Sequence, residues 1–231
     1  MPCKTWLQGA YTTTLLRHKN VTAAWDAVLN ANALNQPYNV QGFGFYNGGE
    51  SVPANFFTQT TASTTDILDW VLLELHDATT PATIITRRAA FIREDGRIVD
   101  LDGVSDVSFR TLPDNNYFLV IRHRNHLGIR SATVRAMTST MGIQVPAVYD
   151  FSTAQSQAYQ NPAITTNAAM VDLTGGAFGM LGGNANGVLV IQPSGVMGAP
   201  TAWSMIISTL LLRCSEVMSI LLLQMRITMP I

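Results

Sequence analysis

Asp66-Ile67-Leu68-Asp69-Trp70-Val71-Leu72-Leu73-Glu74-Leu75-His76-Asp77 decides the fold. Read with a period of two, Val71, Leu73 and Leu75 share one face. Leu68, Trp70 and Leu72 share the other, which turns polar at Glu74 and His76. That pattern suits a central strand that emerges from the core toward its end. A helix is the rival reading. The Thr-rich stretch before the run, and the Asp77-Ala78-Thr79-Thr80-Pro81 stop after it, favour the strand.

Working outward, Ile84–Arg93 and Arg97–Leu101 flank Glu94-Asp95-Gly96. Asp-Gly between two such runs predicts a type I′ hairpin, whose turn residues both take positive φ. Val107–Arg110 alternates, and Leu112–Asn116 has turn chemistry. Tyr117–Ile121 runs apolar into Arg122-His123-Arg124-Asn125-His126, and Ile129–Met137 reads as one further strand. Leu7–Leu16 offers an edge strand, and the spacing predicts a short helix within Asn20–Leu34. The expected fold is all-β: an antiparallel sandwich, Ig-like or prealbumin-like, with a short helix. No glycine-rich phosphate loop follows a strand.

The expected organisation is a β-module over 1–150, a linker with a closing motif over 151–187, and an apolar tail over 188–231. That tail holds three charged residues, Arg213, Glu216 and Arg226, and five of the ten methionines. Ala202–Leu212 is about half the ~20 residues a spanning helix needs, and Arg213 and Glu216 follow it directly, so no transmembrane span is expected. The N-terminus lacks the apolar stretch of a signal peptide.

With 231 residues, 47% hydrophobic, the chain can bury a core. A net charge of −1 argues against nucleic acid as a partner. Cys3 and Cys214 make no disulfide scaffold, and no cysteine–histidine spacing suggests zinc. Arg122, His123, Arg124 and His126 form a charged cluster, open to an anion-site or metal reading. Strand residues three apart point to opposite faces, so the two imidazoles meet only if the chain turns between them. The plainer reading is a strand end whose arginines pair with neighbouring acids. Glu94, Asp95, Asp100, Asp102 and Asp106 make calcium conceivable, but their spacing fits no EF-hand loop. Asp69, Glu74 and Asp100 are the carboxylates to weigh for a glycosidase pair. No nucleophile elbow is present, and no catalytic residue, metal ligand or cofactor is assigned. Tyr38, Phe43, Phe45 and Tyr46 lie in or beside a Gly-rich loop and are the candidate exposed aromatics for a sugar ligand.

"DILDWVLLELHDATTPATIITRRAAFIREDGRIVDLDGVSDVSFRTLPDNNYFLVIRHRNHLG", Asp66 to Gly128, resembles a module near the C-terminus of very large type IX-secreted bacterial surface proteins. "LQGAY" (Leu7–Tyr11), "QPY" (Gln36–Tyr38) and "YDFSTAQSQAYQNPAITTNAAMVDLTGGAFGMLGGNANG" (Tyr149–Gly187) extend the resemblance. Such proteins are hemagglutinin-like, adhesin-like or dockerin-containing. The resemblance implies a non-catalytic accessory, adhesion or spacer module, extracellular or at the cell surface, with surface glycans or surface proteins as partners. A carbohydrate-binding module is the alternative. The family continues into Asp-rich, dockerin-like calcium loops. Here Asn184 and Asn186 fit the first ligand positions, but Val188 stands where a third oxygen belongs. The abrupt change of composition fits a frameshifted dockerin-like tail.

Overall fold

The computed structural model describes residues 1–39, 46–58, 64–109, 112–137, 148–163 and 168–183. The chain divides into two units, Met1–Asn186 and Gly187–Ile231. The second unit, and with it the expected tail, lies outside the described residues.

The elements in order are β1 (Cys3–Lys4), β2 (Tyr11–Thr12), β3 (Arg17–His18), α1 (Ala23–Asn32), β4 (Ile67–Asp77), β5 (Ile84–Arg93) and β6 (Arg97–Val99). Next come β7 (Asn115–His123), β8 (His126–Arg130), β9 (Arg135–Met137), β10 (Tyr149–Asp150), β11 (Met170–Asp172) and β12 (Phe178–Met180). Eight strands form one sheet in the order β10-β1-β6-β5-β4-β7-β8, with β9 also on β7. β2–β3 and β11–β12 are separate two-stranded ribbons. The protein is thus mostly strand. The main sheet is mixed, not wholly antiparallel, because β1 runs parallel to β10.

The central run is β4, and both its faces are covered. Val71, Leu73 and Leu75 pack with Ala90, Ile92, Leu119 and Ile121 in one core. Trp70 and Leu72 pack with Ala89, Phe91, Val99 and Leu29 of α1 in the other. Trp70 is fully buried, 4.2 Å from the Phe91 ring centre, and its indole N–H donates to Ala33 O at 2.7 Å. A buried indole brings a large apolar area and still needs a partner for its one donor. A register shift between Ile67 and Asp69 changes the expected facing. This bulge puts Ile67 in the Trp70 core and leaves Leu68 packing against the other.

Thr22 caps α1, its hydroxyl accepting from Trp25 N–H at 3.4 Å. The β5–β6 hairpin is not type I′. Only Gly96 of its three loop residues takes a positive φ, +77°. This is the three-residue hairpin loop with glycine in the left-handed position. A Cβ on Gly96 would stand 2.7 Å from Thr5 O. The strand expected over Ile129–Met137 is two, broken at Ser131, whose hydroxyl accepts from Leu119 N–H at 3.0 Å.

Residues 151–163 and 168–183 were expected as linker and closing motif. They contribute Phe151, Ala158, Met170 and Met180 to the Val71–Leu73–Leu75 core. The closing segment lies beside the opening one. Met180 N–H donates to Trp6 O at 2.8 Å, and Gln8 N–H donates to Met180 O at 3.1 Å. Gly179 is required there, since a Cβ would stand 2.7 Å from Trp6 O.

Candidate functional site

The charged cluster sits where β7 turns into β8. The alternation of β7 divides its members between the two faces of the sheet. Leu72 pairs with Arg122 and Leu73 with Ile121, so Arg122 lies on the Trp70 face. There its Nε donates to Glu74 at 3.0 Å, joined by Arg87 Nε at 2.9 Å and His76 Nε2 at 2.8 Å. The Glu74 carboxylate is fully buried. Burial pushes it up, but the His76 hydrogen bond and the Arg122 and Arg87 guanidiniums outweigh that and hold it down at about 2.

His123 falls on the opposite face. Arg124 and Asn125 form the turn, and His123 pairs directly with His126. The condition for convergence is met: the His123 and His126 Nδ1 atoms are 2.8 Å apart. His123 Nε2 lies 3.2 Å from Asp69 Oδ2, to which Arg124 Nη2 also donates at 2.7 Å. His126 Nε2 lies 2.9 Å from Gln8 O. The result is a buried chain from Asp69 through His123 and His126 to the Gln8 carbonyl.

Burial pushes the Asp69 carboxyl up, but His123, Arg124 and the Trp70 N–H outweigh it, leaving the group below its ordinary value. Burial, then the neighbouring His123, holds the His126 imidazole well below its ordinary value. Three contacts along the chain each take one ring proton, whereas two neutral imidazoles carry two, so the neutral pair leaves one contact unfilled. Chemically this is a cross-link. It ties β4, the β7–β8 turn and the Leu7–Gln8 segment together, and Gly183 N–H adds the closing segment by donating to Asn125 O at 2.9 Å.

His18 was not singled out from sequence, yet it has the same character. Leu7 N–H donates to its Nε2 at 2.9 Å, and its Nδ1 bonds Arg93 O at 2.9 Å. Only the polar residue's position before an apolar helix hinted at a boundary there; nothing local marked it as buried.

The aromatic candidates separate. Tyr38 is fully buried, its hydroxyl donating to Trp70 O at 2.9 Å, so it presents no ring face to a ligand. This corrects its expected exposure: the ring fills the core beside Trp70. Tyr46 is half-buried and donates to Glu50, which in turn accepts from Ala89 N–H at 3.2 Å. Phe43 and Phe45 lie outside the described residues. A cleft of about 480 Å³ is lined by Glu50, Thr86, Arg87, Arg88 and Phe109, and Arg87 shares the Glu74 carboxylate with Arg122 of the cluster.

The acidic stretch is divided among separate partners. Glu94 pairs with Arg17, Asp95 with Arg93, Asp100 with Arg88 and Asp106 with Arg97. Asp102 accepts from Val104 and Ser105 N–H at 2.9 and 2.8 Å. Among the described residues no three His, Cys, Asp or Glu gather to hold a metal ion, and no helix is long and apolar enough to cross a membrane. The dockerin-like positions Asn184 and Asn186 lie outside the described residues. Comparison with known family models, curated proteins and solved structures gives no match.

Proposed function

We propose that the chain is a non-catalytic accessory module, for adhesion or spacing, of a large secreted or cell-surface bacterial protein. The observation that carries this reading is the use made of the charged cluster. Asp69, His123, Arg124 and His126 hold remote segments to one another. General acid–base work needs such a group within reach of a substrate proton, and here each is engaged with a structural neighbour. The woven ends, Trp6–Gln8 against Met180, suit a part that carries load or presents a neighbour. The type IX resemblance adds export and surface location. The finer fold reading, an Ig-like or prealbumin-like sandwich, and the dockerin-like tail belong to this proposal too.

The test is adhesion by the full chain displayed on beads to bacterial or erythrocyte surfaces, run beside turnover assays on chromogenic glycosides and peptides. Adhesion above albumin-coated beads without turnover is the expected result. Turnover abolished by His126→Gln would overturn the reading.

A further inference from the structure

Arg130 is held differently from six other arginines in or beside the sheet. Arg87, Arg88, Arg93, Arg97, Arg122 and Arg124 each pair with a carboxylate. Arg130 pairs with none among the described residues, and its Nε is buried without a hydrogen-bond partner. Its guanidinium carbon lies 3.9 Å from the Tyr159 ring centre and 4.6 Å from that of Phe118. Stacking on aromatic faces offsets part of the cost of partly burying a cation and fixes the plane of the guanidinium. A fork fixed in advance loses little freedom when it binds.

Other arginines lie on the same face as Arg130. Val120 pairs with both Glu74 and Arg130, so those three residues form one row on the Trp70 face. Arg122 lies on that face two residues along β7, leaning over Gly128, where a Cβ would stand 3.4 Å from its Cγ. On the same face, Arg87 and Arg122 both bond the buried Glu74 carboxylate, with Val120 between that carboxylate and Arg130.

We propose that Arg130 is an anion-recognition site whose ligand is the carboxylate of an acidic saccharide. The guanidinium fork matches a planar carboxylate in two parallel hydrogen bonds. Tyr159, 42% exposed, offers an apolar rim for a sugar ring. The site deepens the adhesion reading, on which it rests, by naming the glycan class.

The full chain is titrated with sodium glucuronate, glucose and sodium sulfate while NMR follows the Arg130 Nε–Hε and Tyr159 ring signals. Saturable shifts of both signals with glucuronate, and none with glucose, are expected. Arg130→Gln should weaken binding at least tenfold. Arg130→Lys, which keeps the charge but loses the fork, should weaken it comparably with the amide spectrum unchanged. Sulfate binding as tightly as glucuronate overturns the saccharide assignment. Anion-independent Arg130 signals, or undiminished binding by Arg130→Lys, overturn the site. Failed bead adhesion with glucuronate binding intact refutes adhesion alone.

Discussion

Acidification should weaken this fold before its carboxylates titrate, and His18 contributes a definite share of the effect. The imidazole is fully buried, and burial lowers it from its ordinary 6.5 to about 4. The unfolded chain therefore takes up a proton near pH 6.5 that the folded chain refuses until about pH 4. The associated stability is present above 6.5 and is lost as pH falls toward 4. Linkage at 1.36 kcal/mol per pH unit gives a loss of about 2 kcal/mol between pH 7 and pH 5 from this group alone. His126, lowered for the same reason, adds in the same direction. The assay is urea unfolding of the full chain at pH 7 and pH 5, with the slope on denaturant checked for constancy. His18→Asn can keep the donor to Arg93 O but cannot titrate. It should destabilise the protein at pH 7 and reduce the drop between the two pH values by about 2 kcal/mol. An unchanged drop would refute the reasoning, because the proton uptake would then lie elsewhere.

Other perturbations read different parts of the structure. Trp70→Ala should cost about 3–5 kcal/mol in the same unfolding assay, since it empties the second core and orphans Ala33 O; a loss under 1 kcal/mol would contradict that packing. Gly179→Ala should cost about 1–3 kcal/mol and raise amide exchange at Gln8 and Met180, because the added carbon meets Trp6 O at 2.7 Å. Glu74→Gln should destabilise the chain by about 2–3 kcal/mol, discounted for the partial exposure of Arg87 and Arg122. It should also flatten the acid limb. The lowered Glu74 carboxyl contributes stability that is present above 4.5 and lost as pH falls toward 2.

The long strand was legible because Trp70–Leu75 puts apolar groups on both faces at a period of two, and the Thr-rich stretch before it and the Thr79-Thr80-Pro81 stop after it weigh against the rival helix. The short strands were less so. β1 and β10 are two residues long, and what fixes them is pairing partners more than ninety residues away, such as Cys3 with Ile98 and with Tyr149. A local reading has no access to that. The bulge at Leu68 escaped for the same reason: it answers to Arg93 and Ile92 across the ladder. At the candidate site, sequence framed the right question about His123 and His126, namely whether the chain turns between them, and the ion pairs of Arg122 and Arg124 follow the plainer reading. Tyr38 shows the limit of composition. A tyrosine just before a glycine-rich loop looks like surface, yet the Trp70 carbonyl gives its hydroxyl a buried partner. Arg130 carried no local signal, because Tyr159 reaches it from outside the sheet.

The hydrogen bond from Gly182 N–H to the Gln8 side-chain oxygen spans 174 residues. It sets an order of events for a chain that emerges N-terminus first. Leu7 and Gln8 are available early, but their neighbour Met180 arrives only when nearly the whole unit has been made or exported. At ordinary synthesis rates that interval is roughly ten to thirty-five seconds. Once Ile121 has followed, the face formed by Leu73, Leu75, Leu119 and Ile121 waits without Met170 and Met180 against it. Closure is therefore a late event, and a holding factor that shields this face until release should raise the yield of native protein more than one that accelerates pairing of the central strands.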